Sequence, residues 1–525
     1  MNLNIPKFNI NTIKVTFHGD HNNISKKQPA TKPIPNDTFE LSIGYVNDIH
    51  GQTNNMMRIL SGLKGDLKVS AGDNDIGDEK NQSVHKATTK FLNLAGIKAT
   101  ALGNHEFDTK QNDFINRVKE FEGDILTANF QKELVENQDK NDVEEQGRAD
   151  LENYIKKSRI VEVKGEKIGL VGASPIDMFD VATHPEYHKD CYVDSLEDTI
   201  EDIQEEVDDL KKQGINKIVL LSHLGHKRDR VVAQQTEGID VIIGGHTHEM
   251  IKDIREGENL FYSLVDEPVI ITQAGRDGKA FGLLNLTFDK VGVIKKAQNN
   301  VAETSLFYRN MINQYIFDEI LGKPEKVGYI KKAPLPPRTL IEENPHANFM
   351  CDAMRYELNT DIAVWNNAGP RNFFHEGVIN SRDIQDIAPF RDGVSIANVK
   401  EDLLVEWMSD VIERTYKNPG YKPGLIAVSG LNYTVDSQKG KLVGLSFIDK
   451  EGNKHIIDIN NPDKNKTYSL ATDSFIMSAG ADLGVLAKKE DCINYEECKD
   501  YFTCEYIKHL NKPIEINQTG RINFV

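Results

Sequence analysis

Through the first half of the chain, apolar residues come in short runs, alternating or briefly continuous, and five of these runs stop at a polar motif. Phe39-Glu-Leu-Ser-Ile-Gly-Tyr-Val-Asn47 alternates as a half-buried strand does. Further strands are predicted at Leu67-Lys-Val-Ser-Ala71, Lys98-Ala-Thr-Ala-Leu102, Ile125-Leu-Thr-Ala-Asn129, Ile215-Asn-Lys-Ile-Val-Leu-Leu-Ser222, Val241-Ile-Ile243, Val269 to Thr272 and Phe281 to Phe288. Ile160 to Val163 and Lys167 to Ala173 flank a Lys164-Gly165-Glu166 turn and read as a hairpin. Helical spacing predicts a helix over Lys86 to Leu94. A second runs from Ser195 to Gln213, where Leu196, Ile200, Ile203, Val207 and Leu210 recur at steps of four and three, Ser195 suits the N-cap and Gly214 the stop. Residues 131–158, rich in Glu, Asp, Lys and Gln, read as a solvated insertion with some helix.

The second half has a different pattern. Residues 300–335 read as a helix and a connector, and Val327 to Pro337, with Pro334, Pro336 and Pro337, as a linker. Beyond it, His346 to Leu358 and Asp402 to Arg414 suit helices, and Asp361-Ile-Ala-Val-Trp365 a strand. The predicted class is α/β, α+β overall. The expected division is 1–37 as a disordered lead-in, 38–300 as a first domain, 301–337 as connecting helix and linker, and 338–525 as a second domain.

The polar motifs at the strand ends carry the candidate chemistry. In chain order they are Asp48-Ile-His50, Gly72-Asp73, Gly103-Asn-His-Glu-Phe-Asp108, Ser222-His223 and Gly244-Gly-His-Thr-His248. Taken singly, each has a structural reading; Gly72-Asp73, for example, reads as a turn. Together they place seven metal-ligand types, Asp48, His50, Asp73, Asn104, His223, His246 and His248, where strands stop, the edge at which open α/β sheets bind ligands. His105 can act as acid, base or ligand, and Asp108 can fix its tautomer. Glu106 is expected to shape the loop, and His226 to have a surface or packing role.

Composition narrows the function. With 525 residues and a net charge of −18, the chain is too long for one core and too acidic for nucleic-acid or anionic-membrane partners. An anionic substrate remains compatible, because bound cations reverse the local sign. No apolar run has the length of a membrane helix, and no signal peptide is recognised at the start. The five cysteines are expected to be free thiols, which suits a cytoplasmic, reducing compartment.

As a set, the five motifs resemble those of the calcineurin-like metallophosphoesterase superfamily, and their wording is similar to that of its 5′-nucleotidase/UDP-sugar hydrolase branch. That resemblance implies an N-terminal β-sandwich flanked by helices and a C-terminal α+β domain that binds the nucleoside. It implies two divalent ions (Zn, Mn, Fe or Mg type) with Asp73 shared. Asp48, His50 and His248 complete one site, and Asn104, His223 and His246 the other, with His105 and Asp108 as a catalytic pair. In the second half, Asn348 to Arg355 resembles the first helix of the C-terminal domain. Asn366-Asn-Ala-Gly-Pro-Arg371 and Pro389-Phe390 resemble its sugar-phosphate and base-stacking loops, so Asn366, Arg371 and Phe390 are substrate-binding candidates, with Phe475 and Asp482. Two departures stand out. Glu342 occupies a place where the family often has Arg, with Arg338 or Arg355 as possible replacements. Phe475 and Asp482 are one residue too far apart, and the aromatic that should follow is absent. The implied activity is 5′-nucleotidase. The alternatives are nucleotide-sugar or cyclic-nucleotide phosphodiester hydrolysis, sugar-phosphate hydrolysis, or nucleotide binding without turnover. No nucleic-acid or membrane partner is expected, and no exported location is read from the start of the chain, although the family is mostly exported.

Overall fold

The structure, a computed structural model, describes residues 15–16, 38–77, 79–132, 151–181, 188, 190–307, 309–418, 423–479 and 483–525. Most of the lead-in, most of the predicted insertion and Asp482 lie outside the described residues. The chain divides into two compact units, Met1–Leu321 and Gly322–Val525.

In the first unit, Phe39–Val46, Leu67–Ser70, Ala99–Ala101 and Asp124–Leu126 run parallel in an eight-stranded sheet completed on one side by the antiparallel strands Ala280–Phe288 and Ile294–Glu303. Glu166–Ala173, Ile218–Ser222, Val241–Gly244 and Pro268–Thr272 run parallel in a six-stranded sheet. The alternation read from Phe39 onward sends Leu41, Ile43 and Tyr45 into a core shared with Leu170, Val219, Leu221, Val241 and Ile270 of the other sheet, so the two sheets form a sandwich. Tyr45 is the polar exception inside it. Its hydroxyl is satisfied by Thr272 Oγ1 at 2.5 Å and Asn299 Oδ1 at 2.9 Å, while burial pushes its pKa up to about 12.

Helices cover both outer faces. Thr53–Gly62, Gln82–Ala95 and Gln111–Glu120 pack on the first sheet through Met56, Met57, Phe91, Leu92 and Phe114. Leu196–Lys212 packs on the second through Ile203, Val207 and Leu210, with Ser195 Oγ accepting from Asp198 N at 3.3 Å as its cap. Of the predicted connector, the helix Met311–Leu321 belongs to this unit, with Phe317 fully buried among the first-face residues.

The expected linker Val327 to Pro337 is corrected in its first part. Lys326–Lys332 is a strand of the second unit, paired with Gly377–Asn380 and Ile514–Glu515, with Ile330 fully buried. Val327 and Ile330 anchor it in the core; the prolines at 334, 336 and 337 lie beyond its end. The rest of this unit places a five-stranded and a four-stranded sheet with the helices Pro345–Glu357, Glu401–Lys417 and Lys499–Leu510 around one core. Asn344 caps the first of these helices by accepting from His346 N and Ala347 N, and Pro345 stands where a missing N–H does no harm.

Candidate metal centre

All seven candidate ligands of the first unit follow the carboxyl ends of parallel strands: Asp48 and His50 after Phe39–Val46, Asp73 after Leu67–Ser70, Asn104 after Ala99–Ala101, His223 after Ile218–Ser222, and His246 and His248 after Val241–Gly244. Because Ser70 pairs with Thr100, and Ser222 with Ala173 and Gly244, these ends are level within each sheet. The sandwich then brings the two edges together. Asp73 Oδ2 lies 3.0 Å from His223 Nε2 and 3.6 Å from His50 Nε2; Asp48 Oδ1 lies 3.2 Å from His248 Nε2 and 3.8 Å from His223 Nε2. Three ligand groups interlock: Asp48, His50 and His248; His50, Asp73 and His105; and Asp73, His223 and His246.

The chain turns sharply to achieve this. Asp48, His50, Asp73, His246 and His248 all have positive φ, a conformation that strains a residue with a side chain by roughly 1–3 kcal/mol. Two motif glycines are required by space instead. A Cβ on Gly103 would stand 2.2 Å from Asp73 Oδ1, and one on Gly245 would stand 2.7 Å from both Ala71 O and His223 Nδ1. Glu106 ties the turns together, as its loop-shaping role requires. Its carboxylate accepts from Gly103 N, Asp73 N and Asn74 N at 2.8–3.0 Å. Burial, with Asp73 and Asp75 nearby, pushes Glu106 up to about 7.

Second contacts aim the ligands. Asn47 Nδ2 donates to Asp48 Oδ2 at 2.6 Å, and Ala71 O lies 2.6 Å from His223 Nδ1. Asp277 Oδ1 lies 3.0 Å from His50 Nδ1, and Asp177 Oδ1 lies 3.4 Å from His246 Nε2. Sequence reasoning misses Asp177 and Asp277: Asp277 sits in an unremarkable Gly-Arg-Asp-Gly turn 227 residues from His50, and no spacing rule links the two. Three buried atoms of the candidate ligands, His50 Nε2, His223 Nε2 and Asn104 Oδ1, have no hydrogen-bond partner. Lone pairs buried without partners beside carboxylates fit cations. Burial raises both carboxylates, but His248 and His223 outweigh it and hold Asp48 down at about 2, while His223 and His105 hold Asp73 well below the usual range. His223, against the penalty of its own burial, is pushed up to about 10 by Asp73 and Asp48. Protons and cations therefore compete for one set of lone pairs.

At the rim, His105 Nδ1 lies 2.7 Å from Asp108 Oδ2, which also accepts from Gly77 N, and His105 N donates to Asp73 Oδ1 at 2.9 Å. His226 starts the helix His226–Gln235, its Nε2 3.2 Å from Glu258 O.

The second-unit candidates are arranged more loosely. The Arg371 guanidinium stacks 5.1 Å from the Phe390 ring centroid, and Asn366 ends the strand Ile362–Asn366. Phe475 opens a short π-helical turn against the core. Arg355 is no stand-in for the missing arginine, since its guanidinium is committed to Asp361 O at 2.8 Å and Ile448 O at 2.7 Å. Arg338 is exposed, its backbone N–H donating to Glu342 Oε2.

Comparison with known proteins places this architecture. Residues 41–250 match the calcineurin-like phosphoesterase family, and residues 326–488 match the 5′-nucleotidase C-terminal domain. The trifunctional nucleotide phosphoesterase protein YfkN of Bacillus subtilis (strain 168) is 25% identical over 94% of this chain, which spans 35% of that protein's length. A snake venom 5′-nucleotidase from Naja atra is 26% identical over 93% of this chain and 99% of its own. The crystal structure of a 5′-nucleotidase precursor from Thermus thermophilus superposes with a TM-score of 0.70 at 22% identity, covering 93% of this chain and 99% of that one, and so shares the fold. Among the described residues no helix is long and apolar enough to cross a membrane. The family implies divalent metals, and the chain belongs to the calcineurin-like phosphoesterases that carry a 5′-nucleotidase C-terminal domain, a family of phosphoric ester hydrolases.

Proposed function

We propose that this protein hydrolyses nucleoside 5′-monophosphates to nucleoside and phosphate, using two divalent cations. Asp48, His50, Asp73 and His248 would hold one, and Asp73, Asn104, His223 and His246 the other. The observation that carries the reading is the convergence of the partnerless atoms His50 Nε2 and His223 Nε2 on the strand-end carboxylates of Asp73 and Asp48. When bound, such a cation pair polarises phosphoryl oxygens and lowers the pKa of water toward neutrality.

The chain's own residues do the rest. Asp108 holds the Nδ1 proton of His105, which makes Nε2 the ring atom that meets the phosphoryl or leaving oxygen and moves a proton to it. The His105 N–H fixes Asp73 Oδ1, so ligand and proton donor are set by one loop. In the second unit, Arg371 supplies a fork of donors for anionic oxygens and Phe390 a face for a base, with Asn366, Phe475 and Asp482 as further contacts. The domain names and the relatives support a nucleotide as substrate. Glu342 in place of an arginine, with Arg355 committed to backbone carbonyls, favours a second reading in which a sugar phosphate or a phosphodiester is preferred.

Metal analysis of the purified protein, combined with phosphate release from nucleoside monophosphates, nucleotide sugars, cyclic nucleotides and sugar phosphates, tests the proposal. Preferential release from nucleoside 5′-monophosphates that depends on added divalent metal is expected; protein that binds no divalent metal, or that prefers ribose 5-phosphate, overturns it.

A further inference from the structure

We propose that Asp277 is the positioning residue that makes His50 a metal ligand, by fixing its tautomer and ring plane. His50 is fully buried, so the partner of one ring nitrogen decides what the other can do. Nδ1 lies 3.0 Å from Asp277 Oδ1, and a carboxylate can only accept; Nδ1 therefore carries the proton. Nε2 is left as a lone pair, buried and without a hydrogen-bond partner, 3.6 Å from Asp73 Oδ2 and 3.9 Å from Asp48 Oδ1. That is the tautomer and direction a cation between those carboxylates requires.

Asp277 is built for this. It is fully buried, its own N–H donates to Asp48 O at 2.6 Å, and Asn55 Nδ2 donates to its carbonyl at 2.9 Å, so its backbone is tied to the loop it supports. Its second oxygen faces Lys279 Nζ at 3.1 Å and Arg276 Nε at 3.3 Å, two half-exposed cations that hold the carboxylate in place. His246 and His223 are braced separately, by Asp177 and the Ala71 carbonyl. The effect of Asp277 is therefore confined to the site that contains His50 and His248.

The inference rests on the metal-site reading above, and the test separates the two. Chelator-treated wild type, Asp277→Asn and Asp277→Ala are titrated with Mn²⁺ alone, following bound ion by electron paramagnetic resonance. Folding is checked by melting, and the His50 tautomer by ¹⁵N-detected NMR of the Zn²⁺-loaded proteins. Wild type should bind at two sites. Asp277→Ala should weaken one of them by roughly 10–100-fold and leave the other unchanged. Asp277→Asn keeps an acceptor oxygen in the same place and should recover most of that loss and retain the Nδ1–H signal. Wild type that binds no Mn²⁺ overturns the metal-site reading itself. Folded Asp277→Ala with two unaltered sites, or Asp277→Asn that folds yet loses Nδ1–H, overturns the role of Asp277.

Discussion

In the first unit, each candidate metal ligand follows a strand paired within a sheet, and further hydrogen bonds from Asn47, Ala71, Asp177, Asp277 and Glu106 fix the side chains or their loops. In the second unit, Arg371 and Phe390 sit on loops after Ile362–Asn366 and before Gly393–Lys400, stacked on each other. A cation site needs atoms held to a few tenths of an ångström, and strand ends provide that; a pocket selecting among substrates tolerates loops that vary. The sequence departs from the family pattern in the second unit and keeps every candidate ligand in the first.

The most severe way to break the first region is Asp73→Ala. The carboxylate approaches both His50 and His223 and anchors the His105 loop, so its removal should release both ions and lower phosphate release by about 10⁴-fold or more, beyond the ~10²–10³ of one transition-state donor. Full metal content in the purified variant would sink the shared-ligand role. His105→Ala should be milder: metals retained, kcat down by roughly 10²–10³. Metal content falling in step with rate would make His105 a ligand instead.

How far the sequence reaches is visible in the same residues. Asp48, His50, Asp73, His223, His246 and His248 were legible because each interrupts an apolar run, and strand ends converge by topology. Asp277 and Asp177 were not: they meet His50 and His246 only through the tertiary fold. The helices Thr53–Gly62 and Gln111–Glu120 escaped because their starts are polar and lie directly after motifs that read as loops. The strand Lys326–Lys332 was hidden by prolines a few residues later.

A third test asks what the buried polar groups of the first unit do to its stability. Asp229 lies in the helix His226–Gln235, fully buried, with Ser222 Oγ on one oxygen and no hydrogen-bond partner on the other. Burial pushes its pKa up to about 7 from an ordinary value of 3.8. A carboxyl whose folded pKa is raised binds its proton more tightly in the native state, so stability falls as pH rises from near 4 and levels off above about 7. Asp229→Asn mimics the neutral acid and removes that fall. Between pH 5 and 8 its unfolding free energy should gain on the parent's by about 1–3 kcal/mol, whatever the constant offset. A difference that does not change with pH would show that Asp229 carries no such penalty.

The last test addresses the second region, and it bears most directly on the comparison. If Phe390 offers its ring to a base, Phe390→Ala should remove about 1–3 kcal/mol from kcat/KM for purine nucleotides and much less for ribose 5-phosphate, which has no base to stack. The candidate metal ligands belong to the first unit and Phe390 to the second, so metal content and the rate on an activated aryl phosphate should hold. The Arg371 guanidinium now rests on the Phe390 ring, so losing the ring also loosens that cation. A loosened Arg371 should affect both substrates alike through their shared phosphate, whereas lost stacking separates them. Equal losses on AMP and ribose 5-phosphate would therefore assign Phe390 to supporting Arg371, and with the altered spacing of Phe475 and Asp482 would favour sugar phosphates as the preferred substrates.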